Sequence, residues 1–144
     1  MNLKHIIMKR ILVGDCLVKL ITSNLRGIFM KEHMMNLNPS PFNMIREGYK
    51  TIELRLYDEK RKMISVGDII TFINTADLND TLCVKVVDLF IFKSFDELYK
   101  NLPLLECGYT KDDIDTAAPC DMEKYYSKEM QQQYGVVGIK ISIM

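Results

Sequence analysis

The stretch Gly48-Tyr49-Lys50-Thr51-Ile52-Glu53-Leu54-Arg55-Leu56-Tyr57 decides how the rest of the chain is read. A β-strand turns successive side chains to opposite faces. Ile52, Leu54 and Leu56 therefore share one face, which reads as core, and Thr51, Glu53, Arg55 and Tyr57 share the other. At a rise of about 3.3 Å per residue, Glu53 and Arg55 lie roughly 7 Å apart along the backbone, so their long side chains can meet. With Lys50 just before them, the second face is either a solvated edge or the floor of a polar pocket.

On the N-terminal side, Ser40 before Pro41 suits a helix N-cap followed by proline at the first helical position. Phe42 and Ile45 then share a face, and Gly48 is placed to stop a short helix over Ser40–Glu47. On the C-terminal side, the charged run Asp58-Glu59-Lys60-Arg61-Lys62 reads as a loop or exposed turn. Val66-Gly67-Asp68 marks a turn into a strand over Ile69–Ile73, and Asn79-Asp80 marks a second turn into a strand over Leu82–Phe92. Ser94-x-x-Glu97 has capping-box form and predicts a helix over Phe95–Leu102, stopped at Pro103. A weaker signal at Thr110–Asp113 predicts a short helix through Ala117, and Pro119 separates it from a helix over Asp121–Gln133. Gly135 caps that helix, and Val136–Ile143 closes the chain as a strand. The order α-β-β-β-α-α-α-β leaves no room for crossover helices between the early strands. It predicts an α+β fold: a small, mostly antiparallel, curved sheet or β-barrel flanked by short helices.

The 144 residues suit a single domain with a real core, and 48% apolar with 26% charged residues is ordinary for a globular protein. The net charge of zero gives no bulk electrostatic signature of a nucleic-acid binder. Charge is uneven, however: residues 1–34 carry +4 and the remaining 110 residues carry −4. Residues 1–34 read as a divergent N-terminal extension or arm, and residues 35–144 as the domain proper. Asp15 and Lys19 break the apolar run Ile11-Leu12-Val13, so neither a membrane span nor a signal peptide is expected, and a cytoplasmic location is. The four cysteines form no C-x-x-C pair. His5 and His33, the two histidines, lie near the N-terminus, so neither zinc-ligand spacing nor a Ser-His-Asp or Cys-His arrangement is present. The glycines are too dispersed for a phosphate loop. No metal and no cofactor are expected.

Gly48-x-Lys50-Thr51-Ile52-Glu53-x-Arg55, then Val66-Gly67-Asp68-x-Ile70-x-Phe72, then Tyr134-Gly135-Val136-Val137-Gly138-Ile139 together resemble an ASCH domain, over about residues 35–144. The resemblance implies a PUA-like β-barrel with a cleft beside the motif strand, and a ligand that is RNA or nucleotide-like. One small branch of the family hydrolyses N4-acetylcytidine with a lysine and a threonine on the motif strand and a glutamate outside it. The lysine is matched by Lys50. The threonine's position, three residues on, holds Glu53, and Thr51 falls two residues too early.

Lys50, Glu53 and Arg55 are the first candidates for a site. Glu53 has the reach to orient Arg55 and the chemistry to accept a base or ribose donor, and Arg55 or Lys50 that to hold a phosphate or carbonyl oxygen; the structural reading of the same residues is a Glu53–Arg55 pair closing one end of the barrel. Thr51 lies within the same row, and Tyr57, Tyr125, Tyr126 and Tyr134 offer rings for stacking on a base. Lys60-Arg61-Lys62 is either a phosphate track or a solvated turn. The acidic stretch Asp112, Asp113, Asp115, Asp121 and Glu123 makes any RNA footprint one-sided. Three functions remain open on these residues. The first is binding of RNA or a nucleotide-like small molecule. The second is an amidohydrolase acting on an acylated nucleoside such as N4-acetylcytidine, with Lys50 as base and Glu53 in an acid-base role. The third is an interaction module whose polar strand is structural.

Overall fold

The computed structural model describes residues 30–144. Most of the expected N-terminal arm, with His5 and the apolar run at Ile11, falls on residues 1–29, outside the described residues. The sheet begins with β1 (Glu32–Leu37), whose alternation buries Met35 and Leu37 and turns Glu32, Met34 and Asn36 outward. The domain's first strand thus takes in residues that the sequence placed in the arm. Helix α1 (Pro39–Arg46) starts two residues before the expected Ser40–Pro41 signal, with Asn38 at the N-cap. Pro39 is as well suited to the first turn as Pro41, since neither needs an amide partner there. Phe42 and Ile45 bury the helix against the sheet. Gly48, at φ +85°, then reverses the chain into β2 (Ile52–Leu56).

Of the two readings of the charged run after β2, the exposed turn holds: Asp58 accepts the Arg61 amide and caps a single-turn helix α2 (Glu59–Lys62). Strand β3 (Ile69–Asn74) turns at Thr75-Ala76 into the long β4 (Asp77–Phe92). The turn expected at Asn79-Asp80 therefore lies inside β4. Asn74 explains the difference, because its side chain accepts the Ala76 amide and so makes the reversal itself. Helix α3 (Phe95–Asn101) forms as the capping box predicts, with Ser94 accepting the Glu97 amide. Beyond it the chain winds through three 3-10 turns, Leu104–Cys107, Ile114–Thr116 and Pro119–Lys124. The expected helix over 121–133 breaks in two, because Ser127 accepts the Met130 amide and starts a new helix, α4 (Lys128–Tyr134). Strand β5 (Val136–Ile143) completes the fold.

The five strands lie in the order β1-β3-β4-β5-β2. β1 and β3 are parallel and the other pairs antiparallel, with a register shift in β4 between Val86 and Asp88 that lets the strand bend. The sheet curls into a half-barrel whose edge strands approach each other. Arg55 of β2 donates from Nη2 to the Asn36 carbonyl of β1 at 2.9 Å. This is the expected α+β, PUA-like architecture. One core cluster gathers Phe42, Ile45, Phe72, Val84 and Ile139, and a second packs Ile52, Leu54 and Leu56 against Phe95 and Leu98. Each such side chain contributes about 1.5–3 kcal/mol by leaving water. The consequence for the site is that β2 is buried on both faces: its apolar residues by the second cluster, its polar row by the inside of the curl. No helix among the described residues is long and apolar enough to cross a membrane.

Candidate ligand site

A cavity of about 660 Å³ opens at the seam between β1 and β2, within the usual range for a small-molecule site. Its inner wall is the row the sequence singled out. The Lys50 amide donates to the Met44 carbonyl at the end of α1, which fixes where the side chain leaves the backbone. Lys50 Nζ lies 2.9 Å from Glu53 Oε2, and Arg55 Nε donates to Glu53 Oε1 at 2.8 Å. These side chains are only 10%, 5% and 14% exposed, so the row is a buried ion triad and not a solvated edge.

Burial alone would drive the Glu53 carboxyl up, but Lys50 and Arg55 together outweigh it and hold it below the ordinary range. The Arg55 guanidinium is desolvated too, and Glu53 and Tyr126 keep it firmly charged. Glu53 Oε2 is itself fully buried, with the Lys50 ammonium against it.

The opposite wall is aromatic. Tyr109 donates to Asp121 Oδ2 at 2.7 Å, and Tyr99, its hydroxyl 2.7 Å from that of Tyr109, extends the chain. Asp121 also accepts the Ala118 amide, and these bonds, that from Tyr109 foremost, hold its carboxyl below the usual range. Burial first, then the bonds to Tyr99 and Asp121, push the Tyr109 phenol up, so it stays a donor throughout the physiological range. The Tyr126 phenol is also pushed up by burial, against the pull of Arg55. Tyr125 stands at the mouth, 56% exposed, with Lys124 Nζ 5.1 Å from its ring centre. Gly108, at φ +111°, closes the wall beside Lys50, where an added Cβ would sit 3.3 Å from Lys50 Cδ.

The structure brings Lys50, Glu53, Arg55, Tyr125 and Tyr126 together around one cavity. Thr51 is turned away from it: its hydroxyl donates to Glu106 Oε1 at 2.7 Å and accepts from Lys140 Nζ at 3.1 Å. Regular pairing of β2 starts at Ile52, so strand alternation does not govern Thr51. Tyr57 packs on the first core cluster, under Lys62, and Tyr134 on the second. Asn36, Tyr99, Gly108, Tyr109 and Asp121 complete the walls without having been singled out as site residues. Among the described residues, no group of three or more His, Cys, Asp or Glu side chains is placed to hold a metal ion.

The ASCH domain model matches residues 35–144, the span carrying all of these features. Among solved structures, the hypothetical protein PH0355 is 32% identical, with a TM-score of 0.64 over 80% of this chain and 100% of that one. Protein PF0455 from Pyrococcus furiosus is 31% identical, with a TM-score of 0.61 over 78% of this chain and 97% of that one. The ASCH protein from Zymomonas mobilis is 14% identical, with a TM-score of 0.54 over 78% of this chain and 67% of that one, a likeness of fold. No curated protein matches. ASCH domains have a PUA-like fold often linked to RNA binding. By its sequence match and by its half-barrel, the chain belongs to the ASCH domain family.

Proposed function

We propose that the cavity binds RNA or a nucleotide-like ligand, with Lys50, Glu53 and Arg55 reading its polar edge. The observation that carries this reading is the buried triad itself. Two cations share one carboxylate, so the wall keeps an excess of positive charge in a partly desolvated place, suited to a carbonyl or phosphate oxygen. The Glu53 carboxylate, beside them in the cavity lining, suits an amino or hydroxyl donor. Tyr99, Tyr109, Tyr125 and Tyr126 supply aromatic surface, and base–aromatic stacking is worth about 1–3 kcal/mol per base. Asp113 and Asp121 on the outer wall disfavour a phosphate chain running over that side, which makes the footprint one-sided.

No observation of equal weight favours the hydrolase reading. The Thr51 hydroxyl lies outside the cavity, and Lys50 and Glu53 are paired with each other at 2.9 Å. The test is a binding panel of nucleosides, mononucleotides and short single-stranded oligonucleotides, followed by calorimetry and by amide shifts. Arg55→Lys keeps the charge but loses the two-pronged contact to Glu53 and Asn36, and it should weaken binding at least tenfold. A wild-type protein that binds no member of the panel at millimolar concentration would sink the reading.

A further inference from the structure

On the other side of β2 sits a second polar cluster, outside the cavity. Thr51, Glu106 and Lys140 meet there: the Thr51 hydroxyl and the Lys140 ammonium both donate to Glu106 Oε1, and Lys140 also reaches the Thr51 hydroxyl oxygen. The backbones join the same knot, since the Thr51 amide donates to the Glu106 carbonyl and the Ile141 amide donates to the Thr51 carbonyl. One irregular segment, the 3-10 turn Leu104–Cys107, is thereby tied to β2 and β5 at once. The turn ends at Gly108, whose left-handed backbone lies against the aliphatic stem of Lys50. Thr51 is also the next residue after Lys50. The cluster therefore grips the Lys50 side chain from two directions: through the adjacent backbone and through the wall laid over its stem.

We propose that Thr51, Glu106 and Lys140 are positioning residues for Lys50, clamping Gly108 over it so that its ammonium stays seated on Glu53 inside the cavity. The functional consequence rests on the ligand-binding reading above, but the seating itself does not. Glu106 and Lys140 are 41% and 32% exposed, so breaking their pair should loosen the wall without unfolding the domain.

The test is a brief pulse of acetic anhydride on the full chain, with acylation of each lysine followed by peptide mass spectrometry. In the wild type Lys50 should react slowly, as a side chain 10% exposed. In Thr51→Val and in Glu106→Ala its rate should rise at least fivefold, with the exposed Lys100 of α3 unchanged as the reference. Thr51→Ser, which restores the hydroxyl, should bring the rate back to within twofold of wild type. A merely structural cluster would move all protected lysines together, or none. The proposal is overturned if Lys50 stays within twofold of wild type in folded Thr51→Val and Glu106→Ala, or if Lys50 and the other lysines rise in parallel. Should Thr51→Val not fold, Lys140→Met at the exposed end of the cluster decides by the same criterion. Acylation needs no ligand. A fivefold rise in a protein that binds no nucleotide keeps the positioning role and discards the ligand reading, while nucleotide binding with an unmoved Lys50 does the reverse.

Discussion

Two carboxylates, Glu53 and Glu106, each bind two donors around β2, and their surroundings give them opposite characters. Glu53 is 5% exposed and takes Lys50 and Arg55, while Glu106 is 41% exposed and takes Thr51 and Lys140. Both carboxyls are held below their ordinary range, but by different balances. At Glu53 the largest influence is desolvation, which raises it, and only two close cations overcome that. At Glu106 the hydrogen bonds from Lys140 and Thr51 come first and burial opposes them weakly. The lesson is that similar ion pairs differ in what their removal leaves behind. Taking away Glu53 strands two cations in low dielectric; taking away Glu106 leaves a lysine that water can solvate.

The largest expected effect follows directly. Glu53→Ala should lower stability by about 3–5 kcal/mol, the usual cost of breaking a buried pair from one side, measured by urea unfolding. Glu106→Ala in the same assay is the control for the comparison. Near-equal losses from the two would show that burial is not what separates them.

The acid limb of stability sharpens the same contrast. The folded Glu53 carboxyl titrates below the unfolded value of about 4.3, so the unfolded state binds protons first as pH falls. The stabilisation from its ionised form is fully present above that value and is lost as pH drops through the folded one. Lys50→Met removes one of the two cations that hold the carboxyl down. It should cost about 1–3 kcal/mol at neutral pH, and because the folded carboxyl moves up towards its unfolded value, the stability lost on acidification should be smaller and complete at a higher pH than in the wild type. Unfolding curves between pH 7 and pH 2.5 report both, and an acid limb unmoved by Lys50→Met would mean that Arg55 alone sets the Glu53 titration.

How much of this was legible in the sequence follows from the reach of each signal. Alternation in Ile52–Leu56 and the spacing of Lys50, Glu53 and Arg55 are local, and they named three residues that the cavity gathers. The capping box at Ser94–Glu97 is also local, and α3 follows it. The failures sit where a local signal had a competitor or the contact is long-range. Pro39 and Pro41 both suit a helix start, and Asn74 outdid Asn79-Asp80 as the turn residue. β1 was missed because it is a short edge strand whose pairing with β3 spans 37 positions of sequence. Thr51 was assigned to the polar row by alternation, yet its hydroxyl answers to Glu106 and Lys140, 55 and 89 residues away. Tyr99, Tyr109 and Asp121 reach the cavity through a segment of 3-10 turns with no periodicity to read.

A separate buried carboxylate tests whether the contrast is general. Asp68, 5% exposed, accepts from the amides of Ser65 and Lys31 and pairs with His33 Nε2 at 2.8 Å. Burial pushes its carboxyl up, and the bonds from His33 and the two amides win, so it too lies below the ordinary range. Because two of its partners are backbone amides that no substitution of a side chain removes, His33→Gln should cost less than Lys50→Met, about 0.5–1.5 kcal/mol. An equal or larger loss on urea unfolding would make the side-chain partner, not the amide pair, the main anchor of that turn.

The smallest effect belongs to the exposed cluster and is the sharpest check on the comparison. A double-mutant cycle over Glu106→Ala and Lys140→Ala should give a coupling below about 1 kcal/mol, as is typical of solvent-accessible pairs. It should shrink further as salt rises, because the Debye length falls from about 10 Å at 0.1 M to about 3 Å at 1 M. The same cycle over Lys50 and Glu53 should change little with salt, since the ions that screen a pair must first reach it. If instead the Glu106–Lys140 coupling is large and resists salt, the hydroxyl of Thr51 and the backbone bonds around it must be shielding the pair. The outer cluster would then be part of the structural frame of β2 in its own right, rather than a weak clasp whose effect is felt through Lys50.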